Sequence, residues 1–283
     1  MSYISTQKKL INISKEDIFH RPAYGEPYDL YYHDLYNDLF YKNCVFKNNL
    51  SNGFYVEIGA LDGVVNSQSF IFEKELKWDG IVVEPNPLWH ENLEIYRKCK
   101  ISKEAISDKN GEELFECREM AAFSGLISSK DVHRISNINE EIKVKTITLL
   151  DLLDKNNAPD EINWISVDVE GGEYDILNHY FENNFKYKIN LINVETNYFD
   201  KISLLFSNQN YSLIKNPYLD FLRMSYKHGL VKFEPITGHI YKAPYLESIV
   251  PDFDDLIPIY FENYFIHNEF LEKNAHLKTL LIK

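Results

Sequence analysis

The chain has 283 residues, and its 43 Asp and Glu against 30 Lys and Arg leave a net charge of −13, which disfavours a polyanionic partner such as DNA or RNA. A 45% hydrophobic and 14% aromatic composition excludes a disordered chain. No apolar run approaches the roughly 20 residues that cross a bilayer, and Met1 to Lys9 lacks the apolar core of a signal peptide, so a cytoplasmic protein without a membrane span is expected.

Residues 1–50 are polar and rich in tyrosine (Tyr28, Tyr31, Tyr32, Tyr36, Tyr41), spaced as in one or two helices, and are expected to form a helical cap. From about 53 the pattern alternates. A strand near 54–58 precedes a helix near 66–77, and a strand at 80–84 precedes a helix near 87–98. A further strand is read near 101–105. Asp108-Lys109-Asn110-Gly111 is a turn signal. Glu113–Glu116 and Ile142–Thr146 read as strands separated by a loop at 119–140. Thr148-Leu149-Leu150-Asp151 has a capping pattern that opens a short helix through Leu153. A strand at Ile162–Val167, a helix at 171–183 and a strand at Ile189–Val194 follow. Segments alternating in this way predict a mostly parallel sheet with helices on both faces.

Tyr211–Ile214 and Phe221–Met224 read as an antiparallel hairpin turning at Asn216-Pro217, and a last helix is expected near 259–273. The division that results is a cap at 1–50, a Rossmann-like domain at 51–224, and an extension at 225–283 packed on it. Cys44, Cys99 and Cys117 are scattered and odd in number, which points to bystander thiols rather than a metal pattern or a disulfide framework.

Four carboxylates stand where predicted strands end: Glu57, Glu84, Asp168 and Glu195. One such acid is explained as well by helix capping or by solvent, but four along one edge mark the place where ligands bind in a doubly wound sheet. The first loop runs Glu57-Ile58-Gly59-Ala60-Leu61-Asp62-Gly63. A dinucleotide loop would carry G-x-G-x-x-G and leave room for a pyrophosphate. Here the glycines are spaced Gly59-x-x-x-Gly63, and Asp62 would repel a phosphate. S-adenosylmethionine, with a sulfonium, an ammonium and a ribose but no phosphate, suits the loop better. Glu84 is placed to take the ribose hydroxyls through its two oxygens.

Three segments together carry a resemblance. They are Glu57 to Gly63, Trp78-Asp79-Gly80-Ile81-Val82-Val83-Glu84-Pro85-Asn86-Pro87, and Ser166-Val167-Asp168-Val169-Glu170-Gly171-Gly172-Glu173. Over roughly 53–198 the chain resembles the FkbM-type methyltransferases. The resemblance implies a class I, Rossmann-like seven-stranded fold and methyl transfer from S-adenosylmethionine, usually to a hydroxyl of a glycan sugar or a small metabolite. It carries Glu57, Gly59 and Glu84 over as cofactor contacts and places Ala105-Ile106-Ser107 beside the adenine. Ala60, Asp62 and Gly63 complete the expected cofactor set.

Asp168 and Glu195 are the expected catalytic pair. With Asn197 they also resemble the arrangement by which some O-methyltransferases hold Mg²⁺ against an acceptor hydroxyl. The alternative is a general base without metal, and the residues leave both open. None of the nine histidines has ligand spacing to another; His133 stands in the 119–140 loop, which is expected to border the acceptor. The expected function is thus an S-adenosylmethionine-dependent O-methyltransferase acting on a carbohydrate or small metabolite, with homo-oligomerisation left open. The competing readings are an NAD-dependent Rossmann oxidoreductase and a non-catalytic cofactor-binding protein.

Overall fold

The computed structural model describes residues 37, 40–47, 52–64, 67–119, 121–129, 137–184, 186–196, 198–216, 231–233, 240–242 and 262–282. Its centre is a seven-stranded sheet. The strands are β1 (Phe54–Ile58), β2 (Asp79–Val83), β3 (Lys100–Ser102), β8 (Glu161–Val167), β9 (Lys188–Glu195), β10 (Tyr211–Ile214) and β13 (Glu262–His267). They are ordered β10-β13-β9-β8-β1-β2-β3. All the pairs from β9 to β3 are parallel, and β13 runs antiparallel to both of its neighbours. The predicted class I, Rossmann-like sheet is the one observed. Strand order reverses at β1, so the ends of β1, β2 and β8 open a crevice there.

Each face of the sheet has its own core. Alternation along β1 sends Tyr55 and Glu57 to one face and Phe54, Val56 and Ile58 to the other. On the first face Tyr55, Trp164 and Tyr264 pack with Phe72, of α1 (Phe70–Lys74), and Leu93, of α2 (His90–Tyr96). Phe40 and Tyr41, on a π-helical turn over Phe40–Val45, join this core. The second face is covered by α3 (Leu149–Lys155), α4 (Glu173–Asn183) and α5 (Phe199–Asn208) through Leu152, Leu177 and Phe206. With both faces covered, the strands read as continuous apolar runs.

Between β3 and β8 the chain builds a second, four-stranded sheet from β4 (Ala105–Ile106), β5 (Gly111–Arg118), β6 (Gly125–Leu126) and β7 (Ile138–Ile147), ordered β4-β7-β5-β6. The single strand expected at 101–105 is therefore two short ones in different sheets. The capping pattern at Thr148 forms as expected: its hydroxyl accepts the Asp151 N–H at 3.1 Å, and α3 runs on to Lys155.

Two expectations change at the C-terminal side, and one helix is added. Residues 199–208 form α5, a helix not expected from the sequence. Tyr211–Ile214 is a strand, but its antiparallel partner is β13; the expected partner Phe221–Met224 lies outside the described residues. Among the described residues, the helix expected at 259–273 is helical only as α6 (Asn268–Lys273). Tyr264 and Ile266 enter one core and Phe265 the other, a period-two pattern that suits a central strand and defeats a helix. A short pair, β11 (Val231–Phe233) with β12 (Ile240–Lys242), completes the described strands. Among the described residues no helix is long and apolar enough to cross a membrane.

Candidate functional site

The glycine loop leaves β1 under tight constraint. Gly59 and Ala60 both donate their N–H to the Val83 carbonyl, at 3.0 and 3.1 Å, which ties the loop to the end of β2. Gly59 has φ +90°, and a Cβ there would stand 2.1 Å from the Asp168 carbonyl oxygen. Only glycine allows that crossing of the β1 and β8 ends. Gly63 has φ +72°, and its missing Cβ leaves room for Leu93 of α2. Leu61 takes φ +48°, a left-handed conformation that costs a side-chain-bearing residue on the order of 1 kcal/mol. In return its N–H points at Glu84.

Glu84, the first residue after β2, joins two loops. One carboxylate oxygen accepts the Leu61 N–H at 2.8 Å and the other accepts the Asn86 N–H at 2.8 Å. Each oxygen keeps further acceptor capacity. The side chain is buried, and burial pushes its pKa up to about 7 against the two amides that favour the ionised form; the Glu57 charge adds to the rise. His90 donates from Nε2 to the Glu84 carbonyl at 2.9 Å, and burial lowers its pKa, so this imidazole is a structural support.

Glu57 faces the sheet interior beneath α1. It accepts hydroxyl hydrogen bonds from Ser67 at 2.6 Å and Ser69 at 2.7 Å, and the Gln68 N–H as well. It therefore caps α1 from a neighbouring strand. Ser166 and Asn193 are its register partners across β8 and β9, and the Asn193 amide donates to the Gln68 side chain. A buried polar row thus runs one layer below the crevice. Asp62 accepts the Val64 N–H at 2.9 Å and shapes its own turn. Ile106 packs in the core with Ile58, Ile81 and Val83, under the strand ends, while the Ser107 hydroxyl is turned to Asp108 and Glu113.

Asp168 follows β8 and donates its N–H to the Ile58 carbonyl at 3.1 Å. Val167 and Val194 are in register, so Asp168 and Glu195 stand at neighbouring strand ends, both half-buried. The following turn carries Glu170 at φ +59° and Gly171 at φ +123°. Glu173 closes it by accepting the Val169 and Gly171 N–H groups at 3.2 and 3.0 Å, a capping role placed on a helix N-terminus. Asn197 and His133 lie outside the described residues. No group of three His, Cys, Asp or Glu among the described residues could hold a metal ion, so Mg²⁺ coordination has no support there.

The small sheet touches both rims of the crevice. The Ser124 hydroxyl accepts the Arg118 N–H at 3.0 Å and lies 3.4 Å from the Asn86 amide nitrogen. Across the crevice, Ser129 Oγ lies 3.4 Å from where a Cβ on Gly172 would stand. Sequence reasoning passed over Asn86, Ser67, Gln68 and Asn193. The available signal was a Ser-Gln-Ser run ahead of an apolar helix and a lone amide inside the apolar run Leu191-Ile192-Asn193-Val194.

The family model of the methyltransferase FkbM domain matches residues 57–213, more than half of the chain, from Glu57 of β1 into β10. Among solved structures, the crystal structure of precorrin-6y C5,15-methyltransferase from Geobacter metallireducens GS-15 is similar at 12% identity. The match has a TM-score of 0.36 and covers 79% of this chain and 84% of that one. None of the curated proteins matches.

Proposed function

The chain belongs to the FkbM methyltransferase family, and from that premise we propose that it is an S-adenosylmethionine-dependent O-methyltransferase acting on a hydroxyl of a sugar or small metabolite. The observation that carries this reading is Glu84: a buried carboxylate at the end of β2, tied by one N–H on each oxygen and still able to accept from a ribose diol. The donor set fits such a ligand. Two carboxylates, Asp62 and Glu84, border the loop, and Arg97, a basic group that reaches it, is committed to Glu73 and to the loop backbone. That suits a cationic, phosphate-free cofactor better than a dinucleotide.

In this reading Glu84 takes the ribose, and the loop from Gly59 to Gly63 lies against the rest of the cofactor. Ile106 floors the adenine side. When bound, the cofactor supplies an electrophilic methyl group on a sulfonium. Asp168 and Glu195, on the other side of the crevice, orient the acceptor hydroxyl, and one of them takes its proton, because an alcohol is a weak nucleophile until deprotonated. The small sheet, reaching from Asn86 to Gly172, supplies the wall against which an acceptor is held, and proximity then contributes much of the rate.

Calorimetric titration tests the cofactor half. Saturable binding of S-adenosylmethionine and S-adenosylhomocysteine without binding of NAD is expected. Binding of NAD alone would replace this proposal with the oxidoreductase reading, and binding of S-adenosylmethionine with no turnover on any hydroxyl acceptor would favour a non-catalytic binder.

A further inference from the structure

Arg97 lies behind the glycine loop, just past the C-terminal end of α2, and its side chain is 0% exposed. A guanidinium has five N–H donors, and every one is used. Nε donates to Glu73 at 2.9 Å. Nη1 donates to the Gly63 carbonyl at 2.9 Å and to Ser67 Oγ at 2.8 Å. Nη2 donates to the Tyr55 hydroxyl at 2.9 Å and to Ser69 Oγ at 2.8 Å.

The hydroxyls pass the interaction on. Ser67 and Ser69 donate to the Glu57 carboxylate, and Tyr55 donates to Glu73 at 3.2 Å. Arg97 also stands 3.6 Å from Glu57 itself. Cation, hydroxyl and carboxylate thus form three relays, two ending on Glu57 and one on Glu73, in which every hydroxyl proton has a defined direction. Burial opposes ionisation of Glu73, but Arg97 outweighs it and holds that pKa down to about 2.

The loop is therefore anchored at three places. Val83 holds its start, Glu84 its middle through Leu61, and Arg97 its exit through Gly63, Ser67 and Ser69. The first two anchors come from β2 and its end, inside the crevice. The third comes from a different element and reaches the loop from behind, through the Gly63 carbonyl and the two serines.

We propose that Arg97 is a positioning residue that fixes the exit of the glycine loop, so that the cofactor meets a loop already in its bound shape. This deepens the cofactor reading and rests on it. Preorganisation of this kind is read in affinity, because a loose loop must be ordered when the ligand binds. Lysine keeps the charge but loses the planar fork, so it cannot reach Glu73, Gly63 and both serines at once.

The test combines calorimetry with S-adenosylhomocysteine and amide hydrogen exchange on wild type, Arg97→Lys and Ser67→Ala. In Arg97→Lys a dissociation constant raised by roughly tenfold is expected. In the unliganded protein, faster exchange confined to Gly63, Val64 and Ser67 to Ser69 should accompany it, with protection regained at saturating ligand. A purely structural role would speed exchange across the sheet instead, and that result overturns the proposal, as does an unchanged dissociation constant in folded Arg97→Lys. Should Arg97→Lys fail to fold, Ser67→Ala decides: it removes one relay, and unchanged affinity together with unchanged loop exchange rejects the role. Wild-type protein that binds no S-adenosylhomocysteine overturns the cofactor reading separately, and the exchange pattern of the variants still judges the loop anchor.

Discussion

The two sides of the crevice are built differently. On the β1–β2 side, Glu57 and Glu84 are buried, and both oxygens of each accept hydrogen bonds from named neighbours; the glycine loop is held at its start, middle and exit. On the β8–β9 side, Asp168 and Glu195 are half-buried at strand ends, next to a turn with two residues at positive φ. A side whose carboxylates are already oriented by hydrogen bonds before a ligand arrives is suited to binding, since little ordering remains to be done. A side with two half-buried carboxylates at neighbouring strand ends is suited to proton transfer, which needs acids that an acceptor can reach.

The strongest way to break this contrast is to mutate the β8–β9 side. Asp168→Asn or Glu195→Gln should slow methyl transfer by on the order of 10²–10⁴, while the S-adenosylhomocysteine dissociation constant measured by calorimetry stays within twofold of wild type. Equal loss of binding would erase the distinction between the two sides. A chelator sharpens it: turnover that survives EDTA assigns these carboxylates proton transfer alone, whereas turnover lost and restored by Mg²⁺ assigns them a metal.

Next in size is Gly59→Ala, where a methyl group meets the Asp168 carbonyl at 2.1 Å and φ is +90°. A loss of about 3 kcal/mol or more in urea unfolding is expected. A stable Gly59→Ala protein would mean that the strand ends do not cross as closely as described.

Glu84 gives the third prediction. Replacement by Gln should weaken cofactor binding by about 1.5–3 kcal/mol, the range for a hydrogen bond to a charged group. Its pKa in the folded chain, about 7, lies above the ordinary 4.5, so the folded protein holds this proton more tightly than the unfolded one. The stability it contributes is complete below about pH 4.5 and is lost as pH rises through 7, on the order of 3 kcal/mol in all. Urea midpoints of wild type should fall over that window relative to Glu84→Gln. Parallel pH curves for the two proteins would show that Glu84 is not so buried.

The smallest expected effect is at the small sheet. Ser124→Ala removes the acceptor of the Arg118 N–H beside Asn86, and about 1 kcal/mol of stability should go with it in thermal or urea unfolding. Cofactor affinity should scarcely move, because Glu84 keeps both of its own amides. A large loss of affinity would make the small sheet part of the cofactor side rather than the acceptor wall.

What was legible along the chain was what repeats or caps locally. The apolar runs of β1, β2, β8 and β9 mark strands covered on both faces, and Thr148 with Asp151 marks a helix start, since each signal spans only a few residues. Glu84 was legible as a candidate site residue because it ends such a run before a turn at Pro85-Asn86-Pro87. Asp168 and Glu195 could be placed at strand ends, but their adjacency needed the register of β8 on β9.

By itself, the sequence determined the fold class, the glycine-loop motif and the family, all of which reside in short contiguous segments. Only the tertiary structure decided that β13, more than fifty residues after β9, slots between β9 and β10. It also decided that residues 105–147 form a second sheet reaching both rims of the crevice, that Glu57 is spent on α1, and that Arg97 holds the loop from behind. The reason is physical. A buried guanidinium recruits whichever acceptors the packing brings within 3 Å, and Gly63, Ser67, Ser69, Tyr55 and Glu73 reach Arg97 from 24 to 42 residues away in the chain, a separation at which no periodicity or capping pattern survives.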